Sequence, residues 1–349
     1  MKHTKVFLYA SFVVIAILAM GVTYSQNAVL AQDEVGLVSL PVDEAPTLDG
    51  VADEAFWADA KTIEVELRRG ANMEESVTTV QSVYTEDMVY FLVTWTDPTH
   101  SYLRFPWEMQ EDGTWMQHKD PENMGGDENV WYEDKYSFIW SIDNSIVDFD
   151  YSGCFVACHT DDDSGKPYGN KFTESEGELG DIWHFKSVRN VGQVHDQYLD
   201  WTEYSEDTSS AGRHSDPSES GGYSNNVSED GSMPAFMPAG EDFPRDGSPG
   251  FILAEEAVEF DASIFEPGDL VPGIVVAPFV GDGGDIDAGW VYEDGVWTLE
   301  LGRALVTESE FDIQFEDLTE TYWFGLAAFD NAQVRHAYQR GANSFVFGE

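Results

Sequence analysis

Strand-length segments with short apolar alternations dominate the chain. Residues 62–69 place Ile63, Val65 and Leu67 on one side, residues 77–85 carry Val77, Val80 and Val83, and Met88–Thr96 is a nearly continuous apolar run. Further strands are predicted over 136–142, 273–279, 297–301, 321–329 and 344–347. Glu86-Asp87, Asp282-Gly-Gly and Glu293-Asp-Gly295 punctuate them as turns, and no long helical period intervenes. This pattern predicts an all-β fold, an antiparallel β-sandwich. No repeat of 20–50 residues is present, which argues against propellers and solenoids.

Two interruptions break the strand pattern, at about 98–135 and 150–250. The second is too long for an ordinary connection and predicts functional loops. Within it, the Gly/Ser/Asp/Glu-rich tract 203–232 reads as flexible. The chain is 42% hydrophobic and 14% aromatic, enough for a sizeable core despite its acidity. Sixty-six acidic residues against 17 basic ones give a formal charge of −49, which repels nucleic acid and anionic membranes. Either a saline habitat or the steering of a basic redox partner accounts for such a surface.

Residues 1–31 read as a signal peptide. Lys2 and Lys5 form the positive region, an apolar run extends from Phe7 to Met20, and Val29-Leu-Ala31 is a small-residue cleavage site. The run is shorter than the roughly 20 residues needed to span a bilayer. The expectation is an exported, periplasmic protein with no membrane span after cleavage, its residues 32–349 forming one domain.

The chemistry concentrates in Ser152-Gly-Cys-Phe-Val-Ala-Cys-His-Thr160, which holds both cysteines of the chain, Cys154 and Cys158, followed at once by His159. Two thiols for thioethers and an adjacent imidazole for the iron are what covalent haem attachment requires, here with three intervening residues instead of the usual two. A Cys154–Cys158 disulfide and a pair of free thiols are the alternatives. Zinc lacks a second pair of ligands at suitable spacing. Motifs for nucleotide, phosphate or hydrolytic chemistry are absent.

Three patches carry a family resemblance. Thr47-Leu-Asp-Gly-Val-Ala-Asp-Glu-Ala-Phe-Trp57 resembles the entry strand shared by family-nine carbohydrate-binding modules and the haem-binding domain of ethylbenzene dehydrogenase. Gly295-Val-Trp-Thr-Leu-Glu-Leu-Gly-Arg-Ala-Leu305 and Phe324-Gly-Leu-Ala-Ala-Phe-Asp330 are similar to later strands of that haem-binding domain. The resemblance covers 42–100 and 250–349. It implies a gamma-type subunit of the type II molybdenum enzymes of the dimethyl-sulfoxide-reductase superfamily, nitrite oxidoreductase among them. Such subunits hold haem b in a β-sandwich, commonly on Met and Lys, and a subset with a Cys-x-x-x-Cys-His insertion looks like c-type cytochromes. By this resemblance the chain is a non-catalytic electron-transfer protein with one covalent haem c and room for an additional haem b. Its implied partners are iron–sulfur and molybdenum oxidoreductase subunits or a soluble cytochrome. A carbohydrate-binding module and a haem b-only subunit remain the alternatives.

If the cysteines carry the porphyrin, His159 is the proximal ligand. Met237, or Met233, in a Pro-flanked loop is the leading distal candidate, with His336 and His184 as others. Trp183 with Phe185 would form a wall of the site or ordinary core, with His184 and Lys186 facing iron or a propionate. Arg303 and Arg335 would bind propionates or neutralise neighbouring acids. His100, His118, His195 and His214 read as solvated loop residues, and Met109 and Met116 as remote ligands for a second haem.

Overall fold

The computed structural model describes residues 36–122, 126–157, 171–208, 210–240 and 242–349. The signal-peptide reading of 1–31 therefore lies outside the described residues, as do Cys158 and His159.

Thirteen strands form one continuous sheet. In chain order they are β1 (Leu37–Pro41), β2 (Ile63–Arg68), β3 (Glu75–Tyr84), β4 (Met88–Thr96), β5 (Lys135–Ser141), β6 (Gly180–Lys186) and β7 (Gln193–Leu199). They continue with β8 (Arg213–Ser215), β9 (Ile286–Glu293), β10 (Val296–Ala304), β11 (Tyr322–Phe329), β12 (Ala337–Tyr338) and β13 (Asn343–Phe347). Ten of them close on themselves in the order β5-β6-β7-β9-β10-β4-β3-β1-β13-β11 and back to β5. The fold is thus a β-sandwich whose two layers join at their edges. Closure leaves no unpaired edge in that ring. Pairing is antiparallel except at β1, which lies parallel to both β13 and β3.

Alternation explains which residues fill the interior. Phe91 and Trp95 of β4, Phe138 and Trp140 of β5, Trp183 and Phe185 of β6, Trp297 of β10 and Phe324 of β11 all point inward and are buried. Phe91 meets Phe138, Trp140, Trp183 and Phe345 with ring centroids 5.3–5.8 Å apart. Each such ring contributes about 1.5–3 kcal/mol by burial alone. Trp183, expected against a cofactor, therefore belongs to the core.

The long interruptions divide differently from their sequence reading. β6 and β7 fall within 150–250, yet they are members of the closed ring, and Arg213–Ser215 and Ser220–Asn225 make strands inside the tract read as flexible. Both faces of β6 are covered, and buried Asp181, His184 and Lys186 interrupt its apolar residues, so no simple amphipathic signal survives. Residues 98–135 contribute the hairpin Trp107–Met109 with Trp115–Gln117, which builds a satellite core with Phe265 and Val271. Among the described residues no helix is long and apolar enough to cross a membrane.

Candidate cofactor site

The outer faces of β11, β5, β6 and β7 form a platform whose side chains follow from register. One cross-strand row reads Gly325, Ile139, Ile182, Gln197; the next reads Ala327, Ser137, His184, His195; the third brings Phe329, Lys135 and Lys186 together. Small residues on β11 and β5 keep the floor low, while β6 supplies the imidazole and the amine.

Cys154 covers one end of this floor. It sits in the 3-10 turn Gly153–Val156 that follows the short helix α1 (Phe149–Ser152), and it packs with Ile139, Ile146, Phe149 and Ile182. Gly153 has φ +58°, and a Cβ there would lie 2.1 Å from the carbonyl oxygen of Gly341. Only glycine permits both the conformation and the close approach that seats the cysteine turn. A Cβ added at Gly325 would lie 3.8 Å from the Cβ of Cys154, so the turn rests directly above the glycine of the floor.

A cavity lined by Cys154, Ile139, Ile182, Ala327, Phe329 and His336, with His184, Arg213 and Lys171 at its boundary, opens over the platform. His184 Nδ1 lies 3.0 Å from Gln197 Oε1 and 2.5 Å from the Arg213 guanidinium. Its Nε2 is buried and has no hydrogen-bond partner among the described residues. Burial, reinforced by Arg213, Lys186 and Lys135, pushes the His184 pKa well below its usual value. The ring is therefore neutral near pH 7, with a bare nitrogen available for a metal if the proton sits on the other.

A second cavity, about 690 Å³, adjoins the first and shares Lys171, His184, Arg213, Gln333 and Val334 with it. Its lining includes Lys135, Lys171, Lys186, Arg189 and Arg213, and no carboxylate among the described residues. Five of the chain's 17 basic residues thus meet around one space in a protein with 66 acidic ones. Glu133 is completely buried behind them and pairs with Arg189 and, at 3.8 Å, with Arg104. Lys135 Nζ donates to Gln333 O at 2.9 Å and lies 3.9 Å from the Phe329 ring centroid, and Lys186 touches His195 Nδ1. Desolvation, aided by the neighbouring cations, lowers both lysine pKa values well below normal. Glu133 balances Arg189, and the other basic side chains around this space can offer charge-assisted donors to an anion.

The two cavities together fit a ligand with an apolar body and carboxylate arms. The apolar half offers a thiol and a bare imidazole nitrogen, and the cationic half offers charge-assisted donors. A haem has these features, and the donor set suits it.

The sequence pattern of ethylbenzene dehydrogenase matches residues 54–341. The chain belongs to this family. Membership in the ethylbenzene dehydrogenase family makes it an electron-transfer-related domain of a kind associated with enzyme complexes. No curated protein matches the chain. Among solved structures, a family-nine carbohydrate-binding module from Caldicellulosiruptor kristjanssonii, in complex with cellotriose, is 7% identical with a TM-score of 0.31, covering 88% of this chain and 82% of its own. A Bacteroides uniformis protein assigned to carbohydrate binding is 9% identical with a TM-score of 0.36, covering 90% of this chain and 99% of its own.

In this member of the ethylbenzene dehydrogenase family, several candidate residues lie apart from Cys154. Met237 pairs with Val258 on a short hairpin and packs into the Trp107–Trp115–Phe265 cluster, not onto the platform. Met233 is 37% exposed. Arg303 is buried in the sandwich interior, where it pairs with Asp181 and Asp312 and not with the cavity. Arg335 pairs with Asp127. His195, expected in a solvated loop, is a buried member of β7 stacked on Phe279. His336 does line the cavity, its ring 4.6 Å from that of Phe329, with Nδ1 2.7 Å from Val334 O. Lys135, Lys171, Arg189 and Arg213 were not singled out by sequence reasoning. Alternation over Lys135-Tyr136-Ser137-Phe138 and Trp183-His184-Phe185-Lys186, aromatic on one side and polar on the other, is the signal that marks the platform.

Lys186→Met is expected to stabilise the ligand-free protein near pH 7. A lysine whose folded pKa is depressed binds fewer protons folded than unfolded, so its presence lowers stability as pH falls below the unfolded value of about 10.4. Urea melts of wild type and variant from pH 6 to 10 check this; the difference should shrink toward the alkaline end.

Proposed function

We propose that the chain is an exported c-type cytochrome that transfers single electrons as a gamma-type subunit or partner of a molybdenum oxidoreductase. The observation that carries the reading is the junction of the two cavities: Cys154 and the bare Nε2 of His184 bound the apolar part, and the cation cluster bounds the polar part. Cys154 and Cys158 would form the thioethers and His159 would ligate from the motif. His184, fixed through Nδ1 by Gln197, would take the place of Met237 as the second residue to hold the iron in this reading, with His336 as the other imidazole within the cavity. Lys135, Lys186 and Arg213 would neutralise the propionates. The cofactor, when bound, supplies the one-electron couple. The protein's own residues orient it, exclude water through Phe329, Ile139 and Ile182, and set the charge around it.

The test is the intact mass and haem stain after denaturation of the mature protein exported by a host that matures c-type cytochromes. One retained haem is expected in the wild type and none in Cys154→Ala/Cys158→Ala. A colourless wild type of unmodified mass would overturn the reading. Noncovalent haem retained equally by both would establish the haem b form instead.

A further inference from the structure

On the inner side of β6, opposite the platform, Asp181, Asp196 and Asp312 come together. All three are buried, with at most 1% of their surface exposed, and one ligand oxygen of each lies within 4.8 Å of the others. Each is splinted through one oxygen and bare at the other. Asp181 Oδ2 accepts from Ile313 N at 2.8 Å, Trp183 Nε1 at 3.0 Å and Arg303 at 3.2 Å. Asp196 Oδ1 accepts from Gln197 N at 2.9 Å, and Asp312 Oδ2 from the Thr307 hydroxyl at 2.6 Å and Arg303 at 3.5 Å. Among the described residues, Asp181 Oδ1, Asp196 Oδ2 and Asp312 Oδ1 accept from no N–H or hydroxyl donor.

A separate element points to the same place. Asp216, which follows β8, is 3% exposed, and among the described residues neither of its carboxylate oxygens accepts from an N–H or hydroxyl donor. Its side chain faces Asp312 and acts on Asp181, and Asp285, ahead of β9, reaches Asp196. Four carboxyl groups, those of Asp181, Asp312, Asp196 and Asp285, therefore act on one guanidinium, that of Arg303, with Asp282 adding further negative charge near Asp285. One guanidinium cannot balance the three buried aspartates and Asp216 beside them, and carboxylates in contact cannot all ionise without another cation.

We infer that Asp181, Asp196 and Asp312, with Asp216 completing the shell, form a buried site for one divalent hard cation, Ca²⁺ by its ligand type. Calcium takes oxygen ligands at about 2.3–2.6 Å, so two of them can stand up to roughly 4.8 Å apart across the ion, a limit that one oxygen from each of the three aspartates satisfies. Arg303 holds Oδ2 of Asp181 and of Asp312 and orients both carboxylates. The ion would tie β6 and β7 to the segment after β10 and to the loop after β8, directly beneath the row that carries Ile182 and Gln197 on the outer side.

The experiment uses the full chain as purified, stripped with EDTA and titrated with Ca²⁺ alone, with Mg²⁺ in parallel. Expected are one Ca²⁺ per chain by elemental analysis and a rise in Tm of roughly 5 °C at saturation. Asp216→Asn and Asp196→Asn should each weaken Ca²⁺ binding at least about tenfold, since each removes a charged ligand. Should Asp196→Asn fail to fold, Asp216→Asn and the wild-type titration still decide. Absence of Ca²⁺ uptake with an unchanged Tm would overturn the site, as would an Asp216→Asn protein that binds like wild type. The readout is independent of haem, so either result leaves the cytochrome reading to its own test.

Discussion

His184→Ala is expected to leave the covalently held colour intact and abolish the six-coordinate, low-spin spectrum. The argument rests on the Nε2 of His184, which is buried, neutral and without a partner on the wall it shares with Cys154. A buried nitrogen left bare costs about 1–3 kcal/mol, a penalty a metal bond removes. With the ring proton on Nδ1, that nitrogen donates to Gln197 Oε1 at 3.0 Å and fixes the ring, so the alanine variant loses a pre-oriented ligand. His184→Met should retain six coordination and raise the midpoint potential, because thioether ligation favours ferrous iron relative to imidazole. Absorption spectra and potentiometric titration check both. If His184→Ala keeps the low-spin spectrum while His336→Ala loses it, the second ligand is His336. Met237→Leu, in a different hydrophobic cluster, should change neither quantity.

The second large effect is expected at Gly325. A Cβ at this position would lie 3.3 Å from Ile139 Cγ2 and 3.6 Å from the backbone nitrogen of Cys154, and anything longer would project into the cavity. Gly325 lies within β11, where a β-branched residue suits the backbone. Gly325→Val should therefore keep the sandwich and its circular dichroism while losing most of the bound haem. The contrast with Cys154→Ala/Cys158→Ala is informative. That double variant removes covalent attachment but leaves the cavity, so it can still take up haem noncovalently, whereas Gly325→Val fills the space itself. Haem content per folded chain, measured after export and again after incubation with free haem, separates the two.

Much of the sandwich was legible because its strands are amphipathic or wholly apolar. The segments at 62–69, 77–85, 88–96, 136–142, 297–301, 321–329 and 344–347 all lie on strands of the closed sheet, and 273–279 on the strand Ile274–Val280. β6 and β7 were hidden for a common reason. They carry buried charge, as Asp181, Lys186 and Asp196 show, and the periodicity argument counts such residues as loop.

The amino-acid sequence by itself determined the all-β class, the family, the acidic surface and the Cys154-Cys158-His159 motif, since each is a property of neighbouring residues or of composition. Only the tertiary structure decided which distant residues meet. Cross-strand register sets His184 beside Ser137 and Lys186 beside Lys135 on the outer face. The same alternation turns Trp183 and Asp181 to the inside, where Arg303 is held by acids away from the cavity. Because side chains on a strand alternate between faces, one strand serves both the cofactor platform and the buried acidic cluster. That division depends on pairing partners dozens of residues away, which no local pattern records.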